Sequence, residues 1–191
     1  MFRSVRTAVI VYSVLTLITG VVYPLVITGV SQVLFHDQAN GSVLLRGETA
    51  VGSSLIGQAF DDPRYFWGRP SATSPAYNGA ASSGSNLGPT NPALLDAVAE
   101  RVSTLRAAHP TQTGAIPGDL VTASASGLDP HISPAAAQFQ IDRVATARGL
   151  PVDQITALVA AHTQSRTFGM LGEPRVNVLE LNLALDTVHR P

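Results

Sequence analysis

Apolar residues follow one another on every side of the chain from Thr7 to Phe35, TAVIVYSVLTLITGVVYPLVITGVSQVLF, without a formal charge. A helix of this run, at about 1.5 Å rise per residue, exceeds the roughly 20 residues that cross a bilayer core. The run therefore predicts a membrane span. Beyond Asn40 the pattern shortens. VLLRGETAVGSSLIGQAF, Val43 to Phe60, breaks its apolar positions with Gly47 and Gly52 and predicts two short strands joined by a turn. Next, aromatic Tyr65, Phe66 and Trp67 lead into a long stretch of Gly, Ser, Thr, Asn and Pro. A structureless segment of that length is either functional or disordered, and its composition alone favours disorder.

Helical periodicity then returns four times. Asn91 to Ala108 carries Leu95, Val98, Val102 and Leu105 in one stripe, with Asn91 as N-cap and Pro92 at the first helical position. Ser133 and Pro134 open a second helix that Gly149 closes after Arg148. Pro151 to about Gln164 places Val152, Ile155, Leu158 and Val159 on one side. Asn177 to Val188 opens on a variant capping box, Asn177 with Glu180, and turns Val178, Leu181, Leu185 and Val188 inward. Between the first two helices DLVTASASG predicts another short strand. The fold class is α+β: a single N-terminal transmembrane helix, then a domain with a small β-sheet and about four helices.

Charge orients the span. Arg3 and Arg6 precede it, and no basic residue follows its far end closely. The positive-inside rule puts residues 1–6 in the cytoplasm, 7–35 in the membrane, and 36–191 outside, facing the periplasm in a bacterium. A cleaved signal peptide is disfavoured, because its apolar region is only about 7 to 15 residues long and no small-x-small site follows Phe35. Within the span Thr16, Gly20, Pro24 and Thr28 recur every fourth residue, a spacing that lets a neighbouring helix approach. An α-helix drifts by about 40° per such step, so two or three of the four share one contact. A kink is expected near Pro24.

Composition removes several chemistries. The 191 residues have a net charge of −1, which excludes the basic footprint of a nucleic-acid binder. Cysteine is absent, and with it thiolate metal sites and thiol nucleophiles. Every fixed cation is an arginine, so Schiff-base chemistry and a lysine-containing phosphate loop are excluded too. No G-x-S-x-G elbow occurs.

The most enzyme-like cluster is Asp129 with His131 in GLDPHISP, with Asp153 and His162 further on. Asp-x-His suits a base with its orienting carboxylate, or two metal ligands, and supports an alternative function as a membrane-anchored periplasmic hydrolase. Against that, two ligands do not make a zinc site, and the flanking prolines predict a rigid turn into a helix cap. His162 sits at helical spacing from Leu158 and is expected to pack against a backbone carbonyl. Arg64, Arg143, Arg148 and Arg166 read as surface or locally paired. Arg69 and Arg175, beside prolines in low-charge loops, are the better candidates for fixing loop geometry. Such a chain holds or gates something else in the membrane.

Four stretches closely resemble one family. YFWGRPSA (Tyr65 to Ala72), SSGSNLGPTNP (Ser82 to Pro92), SGLDPHISP (Ser126 to Pro134) and LGEPRVNVLELNLALD (Leu171 to Asp186) are similar to the C subunit of the bacterial Kdp potassium-transporting P-type ATPase. The likeness runs in register from the span to Asp186. It implies a non-catalytic subunit of an inner-membrane potassium-uptake complex, needed for assembly and activity. The implied partners are a potassium-channel-like subunit, a P-type ATP-hydrolysing subunit and a small single-span subunit. Potassium is then the transported ion. ATP enters through the hydrolysing subunit, whose ATP affinity the family's C subunit raises as a catalytic chaperone. A domain placed outside lies away from cytoplasmic ATP, so covering the outer ion entrance fits the topology better. The motif loops nominate Trp67, Arg69, Asn86, Asn91, Asp129, His131 and Arg175 as partner contacts. The loop from Gly68 to Pro92 is expected to be ordered in the complex and less so alone.

Overall fold

In the computed structural model, residues 2–188 are described; residue 1 and residues 189–191, at the outer ends of the 1–6 and 36–191 segments, lie outside them. The apolar N-terminal run forms one helical stretch from Phe2 to Leu34. It comprises α1 (Phe2–Leu17), a π-helical turn (Ile18–Val22) and α2 (Tyr23–Leu34). None of its side chains is buried, and the helix is long and apolar enough to cross a membrane. The disturbance expected at Pro24 takes the form of that π turn: the Tyr23 N–H reaches back five residues to the Ile18 carbonyl. The wider turn lies just where a proline ring crowds the preceding ladder. After Leu34 comes α3 (His36–Ala39). Asn40 closes it by donating to the His36 carbonyl at 2.7 Å and to Gln32 Oε1 at 3.1 Å.

Residues 44–191 make a second unit with its own core. Strands β1 (Val43–Arg46) and β2 (Thr49–Ser53) form the expected hairpin, with Gly47 at φ +64 in its two-residue loop. Helix α4 spans Pro92–Ala108, α5 Pro134–Arg148, α6 Val152–Ala161 and α7 Val178–Thr187. Their starts are capped as the sequence predicts. Asn91 Oδ1 accepts from Ala93 N–H, Ser133 Oγ from Ala136 N–H, and Asn177 Oδ1 from Glu180 N–H. Gly149 ends α5 at φ +63.

The apolar core lies around α5, whose Ala136, Ala137, Ile141 and Val144 are fully enclosed, and takes in Ile155, Val176, Leu181 and Leu185. Beneath it is a three-stranded antiparallel sheet of β3 (His131–Ile132), β5 (Arg175–Asn177) and β4 (Thr163–Gln164), in the order β3-β5-β4. Ile132 pairs with Val176, and Thr163 with Val176 from the other side.

Two expectations are corrected. The stretch from Asp119 to Gly127 is not a strand: a 3₁₀ turn (Gly118–Leu120) gives way to successive bends. Its apolar neighbours Leu120 and Val121 are both buried, whereas a strand would send them to opposite faces. Helix α6 ends at Ala161 rather than Gln164, because His162 bonds through Nδ1 to the Leu158 carbonyl at 2.9 Å and Thr163 joins the sheet. Leu95, at the N-terminal end of the α4 stripe, stays 57% exposed while Leu105 reaches the core.

The segment from Gly57 to Asn91 contains neither helix nor strand, yet part of it is buried. The backbone groups of its buried part are satisfied largely by side chains. Asn182 Oδ1 accepts from Phe66 N–H and Asn182 Nδ2 donates to the Phe66 carbonyl, both at 2.9 Å. Gln140 does the same for Trp67, at 2.8 and 3.1 Å. Arg143 donates to the Pro63 carbonyl, to Gln140 Oε1 and to His109 Nε2, and its guanidinium lies 4.1 Å from the Trp67 ring centroid. His109 must be neutral to accept that bond, with its Nδ1 proton given to the Leu105 carbonyl. Burial, which pushes its pKa down, favours that state. Further along, Ser71 Oγ donates to the Gly127 carbonyl, and Ser83 N–H and Ser82 Oγ both donate to the Ser126 carbonyl. Gly127, at φ +67, leaves no room for a Cβ, which would sit 2.6 Å from the Ser83 carbonyl. These bonds belong to the loop from Gly68 to Pro92 that is expected to be ordered in the complex and less so alone.

Replacing Asn182 by alanine leaves a buried N–H and a buried carbonyl of Phe66 unpaired. It should cost about 2 to 3 kcal/mol in denaturant unfolding of the full chain in detergent. A loss under about 0.5 kcal/mol would mean that the clamp is not what holds this segment.

Candidate functional site

Three of the irregular loops meet in a cleft of about 470 Å³. Arg69 comes from the segment held by Gln140 and Asn182; Asp119 from the 3₁₀ turn, Asp129 from the loop after it and His131 from β3, all between α4 and α5. Glu173 comes from the approach to β5 and Arg175 from its first position. The pairing of β3 with β5 sets His131 opposite Asn177, so the ends of those two strands form one wall.

Asp129 is the hub. Its Oδ1 accepts from the His131 N–H at 3.0 Å and lies 3.5 Å from His131 Nδ1; its Oδ2 accepts from Arg69 Nη1 at 3.1 Å. Burial alone would raise the Asp129 carboxyl, but the bonds from His131 and Arg69 outweigh it and hold the pKa below the usual carboxylate value. Arg69 also reaches the Ala123 carbonyl at 3.5 Å. Asp119 accepts from both the N–H and the hydroxyl of Ser133, at 2.6 and 3.2 Å. The Nε–H groups of Arg69 and Arg175 are buried without a partner among the described residues.

This arrangement suits recognition better than hydrolysis. A general base at His131 needs a nucleophile, and the nearby Ser133 hydroxyl already donates to Asp119 and accepts from Ala136 N–H. Among the described residues no group of three or more His, Asp or Glu side chains is placed to hold a metal ion. His162 and Asp153 belong to α6 and its C-terminal end, outside the residues that line the cleft.

Of the residues the sequence nominates, Arg69, Asp129, His131 and Arg175 are brought together here. Trp67 instead lines a smaller groove with Glu100, Arg101 and Thr104, its indole N–H donating to the Asp62 carbonyl. Asn91 is spent on capping α4, and Asn86 sits in its loop at φ +52, a conformation asparagine tolerates. In the N-terminal helix Thr16, Gly20, Pro24 and Thr28 are all exposed, and a Cβ on Gly20 would meet nothing within 4 Å. Sequence reasoning missed Asp119, Ser133 as its partner, and Glu173. Only Glu173, two residues before Arg175, carried a local signal.

Residues 5–187 match the family model described as K+-transporting ATPase, c chain. A protein of Variovorax paradoxus named potassium-transporting ATPase KdpC subunit is 62% identical over 187 residues, covering 97% of each chain. Its namesake from Polaromonas naphthalenivorans is 62% identical over 98% of this chain and 96% of its own. One from Herpetosiphon aurantiacus is 60% identical with the same coverage.

Replacing Asp129 by asparagine keeps the acceptor for the His131 N–H and removes the charge beside Arg69. A depressed carboxylate stabilises the fold above its unfolded pKa of about 3.9, and that contribution is lost as pH falls through the lower folded value. The variant should be less stable than the parent by about 1 kcal/mol or less near neutrality, since the pair is partly exposed. The gap should close on acidification. A pH-independent gap in thermal melts would show that the charge is not what matters.

Proposed function

The chain belongs to the family of the K+-transporting ATPase c chain, and from that membership we propose that it is a non-catalytic accessory subunit of an ATP-driven potassium-uptake complex. The observation that carries this is the match from residue 5 to residue 187, which takes in the apolar helix and the folded domain together. The partners are a channel-like subunit, a P-type ATP-hydrolysing subunit and a small single-span subunit, and potassium is the ion moved. Residues 1–6 lie in the bacterial cytoplasm, 7–35 in the inner membrane and 36–191 on the periplasmic side, as Arg3 and Arg6 favour.

The helix packs on a partner helix through Thr16, Gly20, Pro24 and Thr28. Along an uninterrupted α-helix the row would end about 120° from where it began. The π turn adds about one residue without advancing the face, which closes the row to within about 20°. All four then share one stripe, more than the sequence pattern alone allowed.

Outside the membrane the domain covers the ion entrance of the channel-like subunit. Arg69, Asp129, His131 and Arg175 make the contact group, and Trp67, Asn86 and Asn91 shape the loops that present it. Support for contact rather than chemistry comes from the engaged state of Ser133 and Asp129. A chaperone effect on ATP affinity in the hydrolysing subunit would be relayed through helix packing, since the domain stands away from cytoplasmic nucleotide.

Detergent extraction of membranes expressing the whole complex should co-purify the chain with the other subunits, and its omission should abolish potassium-stimulated ATP hydrolysis; unaffected hydrolysis would sink the accessory role. The absence of cysteine permits a clean topology test. A single cysteine replacing exposed Asp96 should react with a membrane-impermeant maleimide from the outside of intact spheroplasts. Labelling only after lysis would reverse the orientation.

A further inference from the structure

Between β4 and β5 the chain turns back on itself through a bridge of Thr167 with Leu171, each N–H donating to the other's carbonyl at 2.9 Å. Phe168 at φ +54 and Gly169 at φ +74 form its tip. Two successive positive-φ residues normally call for Asn-Gly, and an aromatic side chain at the first is strained. Phe168 is nevertheless 88% exposed, beside Met170 at 76% and Leu171 at 60%. Packing within the chain therefore does not offset that strain. Across the base of the arm Arg166 donates to Glu173 at 2.6 Å, beside the Thr167–Leu171 bridge.

The arm springs from the cleft wall. Only Gly172, at φ +76, separates Leu171 from Glu173, and Glu173, Pro174 and Arg175 line the cleft. The charges there are unevenly used. Asp129 is taken by Arg69, Asp119 by Ser133 and Glu173 by Arg166. Arg175 makes no ion pair among the described residues, and its Nε–H is buried without a partner. Of the two arginines that line the cleft, Arg175 is the one without a carboxylate partner among the described residues.

We propose that the arm and the cleft are one docking surface for a loop of another subunit of the same complex, which accepts Phe168, Met170 and Leu171 in an apolar pocket and places an Asp or Glu carboxylate on Arg175. The proposal rests on the accessory-subunit assignment above. A protein acceptor suits the surface better than lipid. Membrane-surface anchors surround their apolar residues with exposed free cations, whereas Arg166 is neutralised by Glu173 and the unpaired Arg175 is half-buried in the cleft wall. An exposed aromatic tip on a turn whose base, at Gly172, lies against the forked Arg175 guanidinium is the kind of anchor that a shaped pocket rewards.

The test uses the full complex in native membranes, with a benzophenone amino acid in place of Phe168 and, as a control, in place of exposed Leu95. Irradiation should join position 168, and not position 95, to another subunit of the complex. An adduct to lipid alone, an adduct to a second copy of this chain, or no protein adduct from an intact complex would overturn the proposal. In parallel, Arg175→Glu should lower retention of the chain in the washed complex by about tenfold or more, while Arg175→Lys keeps most of it and both melt like the parent in detergent. Equal retention of the two would overturn the carboxylate contact. Failure of the unaltered chain to co-purify would remove the accessory-subunit assignment itself, and the docking surface with it.

Discussion

The backbone of Phe66 and Trp67 sits in the core without a strand beside it, and the rest of the domain is arranged around meeting its hydrogen bonds. A buried amide left unpaired costs about 1 to 3 kcal/mol. Asn182 of α7 and Gln140 of α5 each present a donor and an acceptor to one residue, doing with two side chains what a neighbouring strand does with its own backbone. The clamp works only if those helices are fixed. Apolar packing of Ala136, Ile141 and Leu181 fixes them, and so the irregular segment and the helical core define each other.

From that clamp the geometry passes outward along the chain. Next after Trp67 is Gly68, where a Cβ would come within 2.7 Å of the Tyr77 hydroxyl. That hydroxyl donates to the Arg69 carbonyl at 2.6 Å, and burial, which pushes its pKa up to about 12, keeps the proton in place. Arg69, held at its backbone, then reaches Asp129, and Asp129 orients His131. Asp119, Asp129 and Glu173 in this cleft are each engaged by another side chain, which ties its loops together, while Arg175 is left without a carboxylate among the described residues. The outer side of the clamp is tied in the same manner. Arg148 donates to the Arg64 carbonyl and to Asp186, while Tyr65 and Arg46 share the same carboxylate.

What the sequence revealed divides by range of interaction. Caps at Asn91, Ser133, Gly149 and Asn177 involve a residue and its near neighbours, so each was readable from local order alone. Residues 119–127 were misread because a run of β-compatible side chains says nothing about burial, and Leu120 and Val121 share the interior. Gln140 and Asn182 were invisible as clamps, since their partners lie 73 and 116 residues away and an amide within a helical pattern looks like an ordinary polar position. The cleft was half legible. Arg69, Asp129, His131 and Arg175 stood out as polar residues in proline-flanked loops, but the 60-residue step from Arg69 to Asp129 had no local trace. The resemblance supplied the loops without showing that three of them converge.

An arginine-only chain fits this construction for a physical reason. Arg143 serves His109, Gln140 and the Pro63 carbonyl at once while stacking on Trp67, and burial lowers its pKa only to about 10, so it stays charged. A lysine ammonium has neither the fork nor the flat face to do this, and gives up its proton more readily when buried. Arg148 likewise joins a carbonyl, a carboxylate and the Tyr65 ring. Side chains committed in this way are poor material for catalysis, which needs a group free to take or give a proton during the reaction. They are good material for holding irregular loops in one shape. The domain spends its buried polar chemistry on presenting a fixed surface, and a fixed surface carried by a helix long and apolar enough to cross a membrane does its work on whatever it touches.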